Sequence, residues 1–414
     1  MFFISQLAFI GIAATLTAAQ ATPQLASDPG VTGPPLELVH LYYDEFPTGI
    51  AVSREGRQFS NYPSGLDPNN TKYQVAELVT NTTEVPFPNK EINSPPGGPI
   101  NYTTVPATSA NYQNYLIGVQ SVAVDPLDRL YILDTGRASL PNGTLANANY
   151  GGPKIVRVDL SNNTIDGTFI FPPDVAYPDS YLNDVRVDLR PNVTASGKGI
   201  AYITDSSNEG RNGIVMLDLG TGESWRHLDT DPRVRNGQQV LENIWGQQYY
   251  STNMQGNTAY SSTGSDGIAI ADNGDTLFFS STASRYLYSI STERLRDRSP
   301  QSELMAQAAV QTHGEKGLSD GLMQDTNNYI YCGANGDNAI NVYSVNNATV
   351  STYVRDPRIG WTDTMWIASD GHLYFTENQL FRSMSQRVRP FALFRVPTAD
   401  GGMRVSPLNL TGDA

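Results

Sequence analysis

The feature that most constrains this chain of 414 residues is a motif that occurs six times along it. Each copy begins near a Gly, Thr or Asp and continues as alternating hydrophobic residues, a turn and an aromatic-rich run. The copies read TGIAVSREGRQFSNYP from Thr48, QSVAVDPLDRLYILDTG from Gln120, NDVRVD followed by GIAYITDSS from Asn183, SDGIAIADNGDTLFFSS from Ser265, SDGLMQDTNNYIYCGA from Ser319 and TDTMWIASDGHLYFTE from Thr362. Alternation with a period of two residues predicts two β-strands per copy, with an apolar face that a neighbouring copy has to cover.

Hairpin-like segments follow the last five copies and predict an outer pair of strands for each blade. These segments read KIVRVDLSNNTIDGTFIF, IVMLDLGTGESWRHL, RYLYSISTERL, AINVYSVNNATVSTYV and FALFRVPTADGGMRV. Four-stranded units repeated around an axis predict an all-β chain that forms a single six-bladed β-propeller over residues 36–410. The lone strand LELVHLYY, from Leu36 to Tyr43, is predicted to complete the last blade and close the ring. The long stretches 62–114 and 227–264 are predicted to be individual loops.

The composition of the chain limits the classes of molecule that it can bind. The 27 basic and 41 acidic residues give a net charge of −14, which disfavours nucleic acid and anionic membranes and leaves small neutral or cationic ligands open. Cys332 is the only cysteine, so the chain has no intrachain disulfide, and a buried, unreactive thiol is expected. We expect a monomer.

The N-terminus has the pattern of an export signal. Residues 1–21 are apolar and end in Ala19-Gln20-Ala21, a small-x-small cleavage pattern, and 22–35 form a polar linker. The alternative is an N-terminal membrane anchor. Secretion is also favoured by eight glycosylation sequons, at Asn69, Asn81, Asn101, Asn142, Asn162, Asn192, Asn347 and Asn409.

Several motifs in one order resemble the major royal jelly protein and Yellow family. They are FPTGIAVS, LDRLYILDTG, YLNDVRVD, SDGIAIADNG with SRYLYSI, SDGL, and DPRIGWTDTMWIASDGHLYFTENQL. The resemblance runs from about Leu36 to about Val405 and implies a secreted six-bladed propeller. It also implies a role in pigment or secondary-metabolite chemistry, or in carrying small molecules such as biogenic amines or sterols. With its single cysteine the chain resembles a cysteine-poor microbial, fungal branch of that family.

A ring of polar residues is expected where the innermost strands begin, because these strands converge on a central channel. The ring comprises Thr48, Gln120, Asn183 with Asp184, Asp266, Asp320 and Asp363. We take Asp266, Asp320 and Asp363 as candidate catalytic groups, since clustered acids repel one another unless a ligand, ion or proton relieves them. For any single member the alternative is structural, an acid that fixes the turn before a glycine.

Aromatic side chains of the loops are expected to wall a pocket above this ring. The run NIWGQQYYSTNMQGNTAYSS is polar and aromatic without strand periodicity, and it predicts a loop over the channel mouth. Trp245, Tyr249 and Trp361 are therefore candidate ligand-binding residues together with Gln120, Asn183 and Asp184. The prediction is a protein that binds, and converts by isomerisation, tautomerisation or cyclisation, a small aromatic or quinonoid metabolite.

Two further function classes stay open: a non-catalytic carrier and a metal-dependent lactone hydrolase. The hydrolase is less favoured because Thr48 stands where an acidic ligand would be wanted, so no metal is expected. Asp134 in LDTG and Asp205 in TDSS resemble aspartic protease motifs, but they are repeat-equivalent, which predicts a structural role. The four histidines are scattered, and no Gly-rich phosphate loop occurs, so no nucleotide cofactor is expected.

Overall fold

The chain folds into six antiparallel four-stranded blades. A computed structural model describes residues 25–110, 112–235, 240–252, 258–282 and 284–405. The predicted export signal at residues 1–21 and the sequon at Asn409 lie outside these residues. Within the described part, no helix is both long and apolar enough to cross a bilayer.

The strands are short, as expected for a propeller. In chain order they are β1 Glu37–Tyr42, β2 Gly49–Val52, β3 Gln58–Asn61, β4 Val75–Leu78, β5 Glu84–Pro86, β6 Ile100–Asn101, β7 Thr108–Ser109, β8 Val119–Val124, β9 Arg129–Thr135, β10 Pro153–Asp159, β11 Thr164–Ile170, β12 Leu182–Asp188, β13 Ile200–Asp205, β14 Gly213–Asp218, β15 Ser224–His227, β16 Asn243–Ile244, β17 Gln247–Gln248, β18 Ser251–Thr252, β19 Thr258–Ala259, β20 Ser265–Ile270, β21 Thr276–Ser281, β22 Tyr286–Ser291, β23 Gln311–Glu315, β24 Leu322–Gln324, β25 Tyr329–Ala334, β26 Ala339–Ser344, β27 Thr349–Arg355, β28 Thr362–Ile367, β29 His372–Glu377 and β30 Phe391–Pro397. The helical segments are α1 Thr292–Arg296, α2 Ser302–Ala309 and three 3-10 turns at Asn335–Asp337, Met384–Gln386 and Ala399–Gly401.

Each predicted repeat forms the inner half of one blade. From the axis outward the blades are β2-β3-β4-β5, β8-β9-β10-β11, β12-β13-β14-β15, β20-β21-β22-β23, β24-β25-β26-β27 and β28-β29-β30-β1, and we number them 1 to 6 in that order. The six-bladed, four-stranded architecture is therefore confirmed. Three two-stranded hairpins, β6-β7, β16-β17 and β18-β19, lie in the long connections.

The ring closes without a covalent link, as predicted. β1 pairs antiparallel with β30 and forms the outer edge of blade 6, with Tyr42 opposite Phe391. Tyr42 is fully buried, and its hydroxyl lies 2.6 Å from Ser60 Oγ in blade 1. The first strand of the chain therefore joins the last blade to the first.

The blades pack through buried aromatic side chains at a repeat-equivalent position. The third residue of the second strand is aromatic and buried in five blades: Tyr131, Tyr202, Phe278, Tyr331 and Tyr374. Burial of such a side chain stabilises the fold by roughly 1.5–3 kcal/mol. In blades 2, 5 and 6 the tyrosine hydroxyl donates to an aspartate of the preceding turn, Asp125, Asp325 or Asp370. These turn aspartates are thus structural.

Three predicted segments differ from the structure. The stretch 62–114 is not only a loop, because it contains β4 and β5, the outer strands of blade 1. The segment RYLYSISTERL does not form a hairpin, because α1 and α2 separate β22 from β23 and bury Leu295 and Ala306. PTADGGMRV does not turn back to pair with β30, because β1 occupies that edge and Arg404 instead bridges to Asp325 of blade 5.

The sequons that can be described lie at or near the surface. Asn69, Asn81, Asn142, Asn162, Asn192 and Asn347 are exposed and Asn101 is half-buried. Asn162 and Asn347 lie in the β10–β11 and β26–β27 turns. Glycosylation stays a prediction.

Candidate functional site

A ring of polar residues surrounds one end of the central channel, which we call the upper end. Neighbouring blades are joined there by hydrogen bonds: Thr48 Oγ1 donates to Gln120 O at 3.1 Å, and Asn183 Nδ2 donates to Asp266 Oδ2 at 2.8 Å. On the other side of the ring, Gly321 N donates to Asp363 O at 2.7 Å. The structure therefore brings the predicted ring together.

The glycine that follows two of the ring acids is explained by close packing of the inner strands. A Cβ on Gly267 would lie 2.2 Å from the carbonyl oxygen of Asp320, and one on Gly321 would lie 2.3 Å from that of Asp363. No side chain fits these gaps. The Ser-Asp-Gly pattern thus combines a channel-facing acid with a residue that lets the next blade approach.

Asp266 and Asp320 form a pair of buried carboxyls that interact with each other. Burial raises the pKa of Asp266 well above its usual range, and the negative charge of Asp320 raises it further. Burial also raises the pKa of Asp320, although the indole Nε1 of Trp361 donates to Asp320 Oδ2 at 2.6 Å and stabilises its charge. Burial and the repulsion between the two carboxyls therefore both favour a proton on the pair.

The other two predicted acids are held by the protein. Asp363 Oδ2 accepts from Asn378 Nδ2 at 2.6 Å, and Asp184 Oδ1 accepts from Ser121 Oγ at 2.9 Å. Burial raises the pKa of both carboxyls. Neither residue lines the cavity at the upper end, whereas Asp266 and Asp320 both do.

The upper cavity is small and has an apolar wall above a polar floor. It is lined by Leu66, Gln120, Leu145, Tyr181, Asn183, Ser206, Ser207, Asn208, Tyr249, Thr263, Asp266, Thr282, Asp320 and Leu380. Its volume is about 80 Å³, counted as the space open to the centre of a water-sized sphere. A water molecule needs about 10–15 Å³ in that measure, so the cavity holds a group of roughly five to eight heavy atoms. One six-membered ring is of that size.

Two polar groups are free to bond a molecule in the cavity. Tyr181 donates to Gln120 Oε1 at 2.9 Å, and among the described residues nothing accepts from the Gln120 amide nitrogen. The hydroxyl of Ser207 is buried and has no hydrogen-bond partner among the described residues. An amide donor and a hydroxyl therefore accompany the carboxyl pair.

The three predicted aromatic residues occupy different places. Tyr249 lines the cavity, and its ring centroid lies 4.8 Å from that of Trp361. Trp361 is fully buried behind Tyr249 and contacts Asp320 rather than the cavity. Trp245 packs against Phe381 and lines a separate crevice beside Glu377 and Phe391. Of the three, only Tyr249 is a wall residue of the upper cavity.

The acids of the LDTG and TDSS motifs are structural. Asp134 accepts from the backbone N–H groups of Ile117 and Gly118 and from buried Lys154 at 2.8 Å. Asp205 accepts from Tyr181 N and from Arg226. These contacts hold the segment that leads into the inner strand of the same blade, as their repeat-equivalence predicted.

Sequence reasoning missed several lining residues. Ser206 and Thr282 follow the second strands of blades 3 and 4 and surround the carboxyl pair: Asn183 donates to Ser206 Oγ, and Thr282 donates to Asp266 Oδ2. Their repeat-equivalent positions could have identified them. Leu66, Leu145 and Leu380 come from separate loops, and no sequence signal marks them.

A cluster for a metal ion is not evident in the described residues. They contain no group of three or more His, Cys, Asp or Glu side chains placed to hold one. Asp266 Oδ2 already accepts two hydrogen bonds, at 2.8 Å each from Asn183 and Thr282.

Comparison with known proteins identifies the relatives of this chain. Residues 117–392 match the family described as Major royal jelly protein. The chain is similar to Major royal jelly protein 1 of Apis mellifera, with 24% identity over 261 residues that cover 61% of this chain and 55% of that protein. It is also similar to Protein yellow of Drosophila guanche, with 24% identity over 244 residues that cover 56% of this chain and 36% of that protein. The matches thus span about half of these relatives, or less.

A solved structure of a luciferin-regenerating enzyme has a similar fold. It aligns with a TM-score of 0.51 and 10% identity, over 90% of this chain and 99% of that one. At this identity the likeness shows the fold alone.

Proposed function

Because the chain belongs to the major royal jelly protein family, we propose that it binds a small aromatic or quinonoid metabolite at the upper end of its channel and isomerises it. The observation that carries the proposal is the Asp266–Asp320 carboxyl pair in the floor of a cavity that accommodates one ring. The apolar walls from Leu145, Tyr249 and Leu380 would contact the ring faces. The free amide nitrogen of Gln120 would donate to a ligand carbonyl oxygen.

The carboxyl pair supports a tautomerisation in which no proton is gained or lost overall. When the pair carries one proton, the protonated carboxyl, Asp266, would donate it to one atom of the ligand, and the other, Asp320, would remove a proton from another atom. The electron pair of the broken C–H or O–H bond moves through the ring. It forms the new bond between the proton from Asp266 and the ligand atom that accepts this proton. A later transfer between the two carboxyls restores the starting state.

The second candidate is a non-catalytic carrier. The saturated hydrogen bonding of Asp266 Oδ2, which accepts from both Asn183 and Thr282, favours a fixed anchor for a bound ligand. A metal-dependent lactone hydrolase stays a third prediction, and sensitivity to a chelator would identify it.

The test uses the full-length protein with extracts of its own source, followed by mass spectrometry of bound and released molecules, with and without chelator. We expect one compound to be consumed and an isomer of equal mass to appear. Asp266→Asn and Asp320→Asn should lower the rate by about 10²–10⁴-fold. Asp363→Asn is the matched control, since this ring acid lies outside the cavity, and should retain most of the activity.

Other outcomes separate the alternatives. Stoichiometric recovery of an unchanged molecule would show a carrier, and unchanged turnover in both Asp266→Asn and Asp320→Asn would overturn the proton-transfer mechanism. We further propose that the protein acts outside the cell, on the basis of the predicted signal at residues 1–21 and the exposure of Asn69, Asn81, Asn142, Asn162, Asn192 and Asn347.

A further inference from the structure

Two arginine side chains face one small cavity at the opposite, lower end of the channel. Arg186 belongs to β12, the inner strand of blade 3, and Arg404 enters from the segment that follows blade 6. The cavity is also lined by the lower ends of the inner strands, including Val124, Ile270 and Trp366. It is separate from the upper cavity, with which it shares no lining residue.

The charge of Arg404 is not neutralised by a direct partner. Its Nη1 donates to the backbone carbonyl of Val124 at 2.8 Å, and its guanidinium stacks 4.7 Å from the Trp366 ring centroid. No ion pair involving Arg404 occurs among the described residues. Asp125, the one acid among the described residues that line this cavity, is paired with Arg129 at 2.6 Å.

The charge of Arg186 is also poorly compensated. Its side chain is 7% exposed, and its two Nη groups donate to the backbone carbonyls of Val185 and Leu322 at 2.8 Å each. The buried Nε has no partner among the described residues, and the ion pair with buried Asp184 is long, at 3.6 Å between Nη2 and Oδ2. Burial of a guanidinium is costly when its ion pair is long and one of its N–H groups lacks an acceptor.

The electrostatics agree with this geometry. Burial lowers the pKa of Arg186, and burial together with the positive charges of Arg54 and Arg186 lowers the pKa of Arg404 to about 10. Asp125 and Asp128 act in the opposite direction but leave the shift downward. An added negative charge between the two guanidinium groups would offset both penalties.

The size of the cavity limits what can bind. Its volume is about 40 Å³ in the measure used for the upper cavity. That space corresponds to roughly three or four water molecules. A halide or formate fits, whereas a phosphate ester or a nucleotide does not.

We propose that the lower end of the channel is a binding site for a small monovalent anion, a halide or a formate-sized carboxylate, held between Arg186 and Arg404. The anion would join blade 3 to the segment that follows blade 6 and so stabilise the closed ring. The site is independent of the proposed function at the upper end.

The first experiment is anomalous X-ray diffraction from crystals of the full-length protein soaked in sodium bromide. We expect a bromide peak between the guanidinium groups of Arg186 and Arg404, and no peak there in Arg404→Met. Absence of the peak from the unmodified protein would overturn the proposal.

The second experiment measures the melting temperature, Tm, as chloride or formate replaces glutamate, an anion too large for the cavity, at constant ionic strength. We expect Tm to rise by a few degrees when the small anion increases about 100-fold. The response should vanish in Arg404→Met and persist in Arg298→Met, which removes an exposed arginine paired with Glu223. Arg404→Lys keeps the charge and should keep part of the response, which guards against misfolding of the Met variant.

These results also identify the source of the negative charge. A response to chloride alone assigns a halide, and a response to formate assigns a carboxylate. A bromide peak without any dependence of Tm on either anion would show binding at crystal concentration only and overturn the proposal.

Discussion

At the scale of single residues, three repeat-equivalent acids differ in what lies beside them. Asp134 in blade 2 pairs with Lys154, and Asp205 in blade 3 pairs with Arg226. Glu377 in blade 6 lies opposite Ala392 and has no cationic partner among the described residues. Burial therefore raises the pKa of Glu377 to about 7.

Glu377→Gln should make stability less dependent on pH. The folded protein holds a proton on Glu377 up to about pH 7, whereas the unfolded chain releases it near 4.5. This contribution to stability is fully present below pH 4.5 and is lost as pH rises to about 7. Above pH 7 the variant should be more stable than wild type by up to about 3 kcal/mol, as measured by urea unfolding across this range.

Asp134→Asn is the contrasting variant at the equivalent position. It leaves Lys154 buried without its carboxylate, and removal of one partner of a buried pair costs about 3–5 kcal/mol.

Equal pH profiles for the Glu377→Gln variant and the wild type would show that the Glu377 carboxyl is not perturbed as described.

At the scale of structural elements, the inner strands depend on close approach and the outer edge of blade 6 depends on β1. The close approach requires that Gly321 has no Cβ, and the edge of blade 6 requires the buried side chain of Tyr42. The effect on stability of substituting these residues can therefore be compared with that of substituting residues with more space around them.

Gly321→Ala should destabilise the propeller by more than about 3 kcal/mol, because the new Cβ would collide with backbone rather than with a movable side chain. Gly167→Ala on the outer strand β11 is the control, since its nearest neighbours are the tips of the Phe169 and Arg157 side chains. Chemical denaturation measures both. A Gly321→Ala variant as stable as Gly167→Ala would contradict the close packing of blades 5 and 6.

Tyr42→Ala should weaken ring closure by about 3–5 kcal/mol, because it removes a fully buried aromatic side chain and its contact with Ser60. Tyr43→Ala, in the adjacent position that is 52% exposed, should change stability by less than about 0.5 kcal/mol. The midpoint of urea unfolding reports each effect. Similar midpoints for the two variants would argue against closure through β1.

At the scale of the whole molecule, the channel has two chemically different ends. The upper end holds a carboxyl pair below apolar walls, and the lower end holds two arginines. A ligand of the upper cavity should therefore enter from that end only.

Leu380→Trp should fill the upper cavity and weaken ligand binding at least about 10-fold, since steric overlap in a small site costs more than 1.4 kcal/mol. Met403→Trp adds similar bulk at the lower face, where Met403 is 41% exposed, and should leave binding unchanged. Titration with the ligand recovered from the extract measures both affinities. Loss of binding in Met403→Trp alone would show that the ligand binds at the lower end of the channel, and this would contradict the proposed site.

The candidate site was only partly predictable. The ring acids were identified because they occupy one position of a repeat, and repetition fixes which residues face the axis. Which acids share a proton and line a cavity depends on contacts between blades, such as that from Trp361 to Asp320, which are remote in sequence. Trp245 was expected beside Tyr249, but it lies in another crevice because it packs against Phe381.

Strand periodicity and repetition are local signals, so the amino-acid sequence is enough to predict the six blades, their inner strand pairs and the closing role of β1. The folded chain was needed to show which side chains the loops bring over the channel, where α1 and α2 interrupt blade 4, and how Arg404 reaches the lower end. These features depend on contacts between segments that are separated along the chain, such as that from Arg404 to Val124, and no local pattern records such contacts.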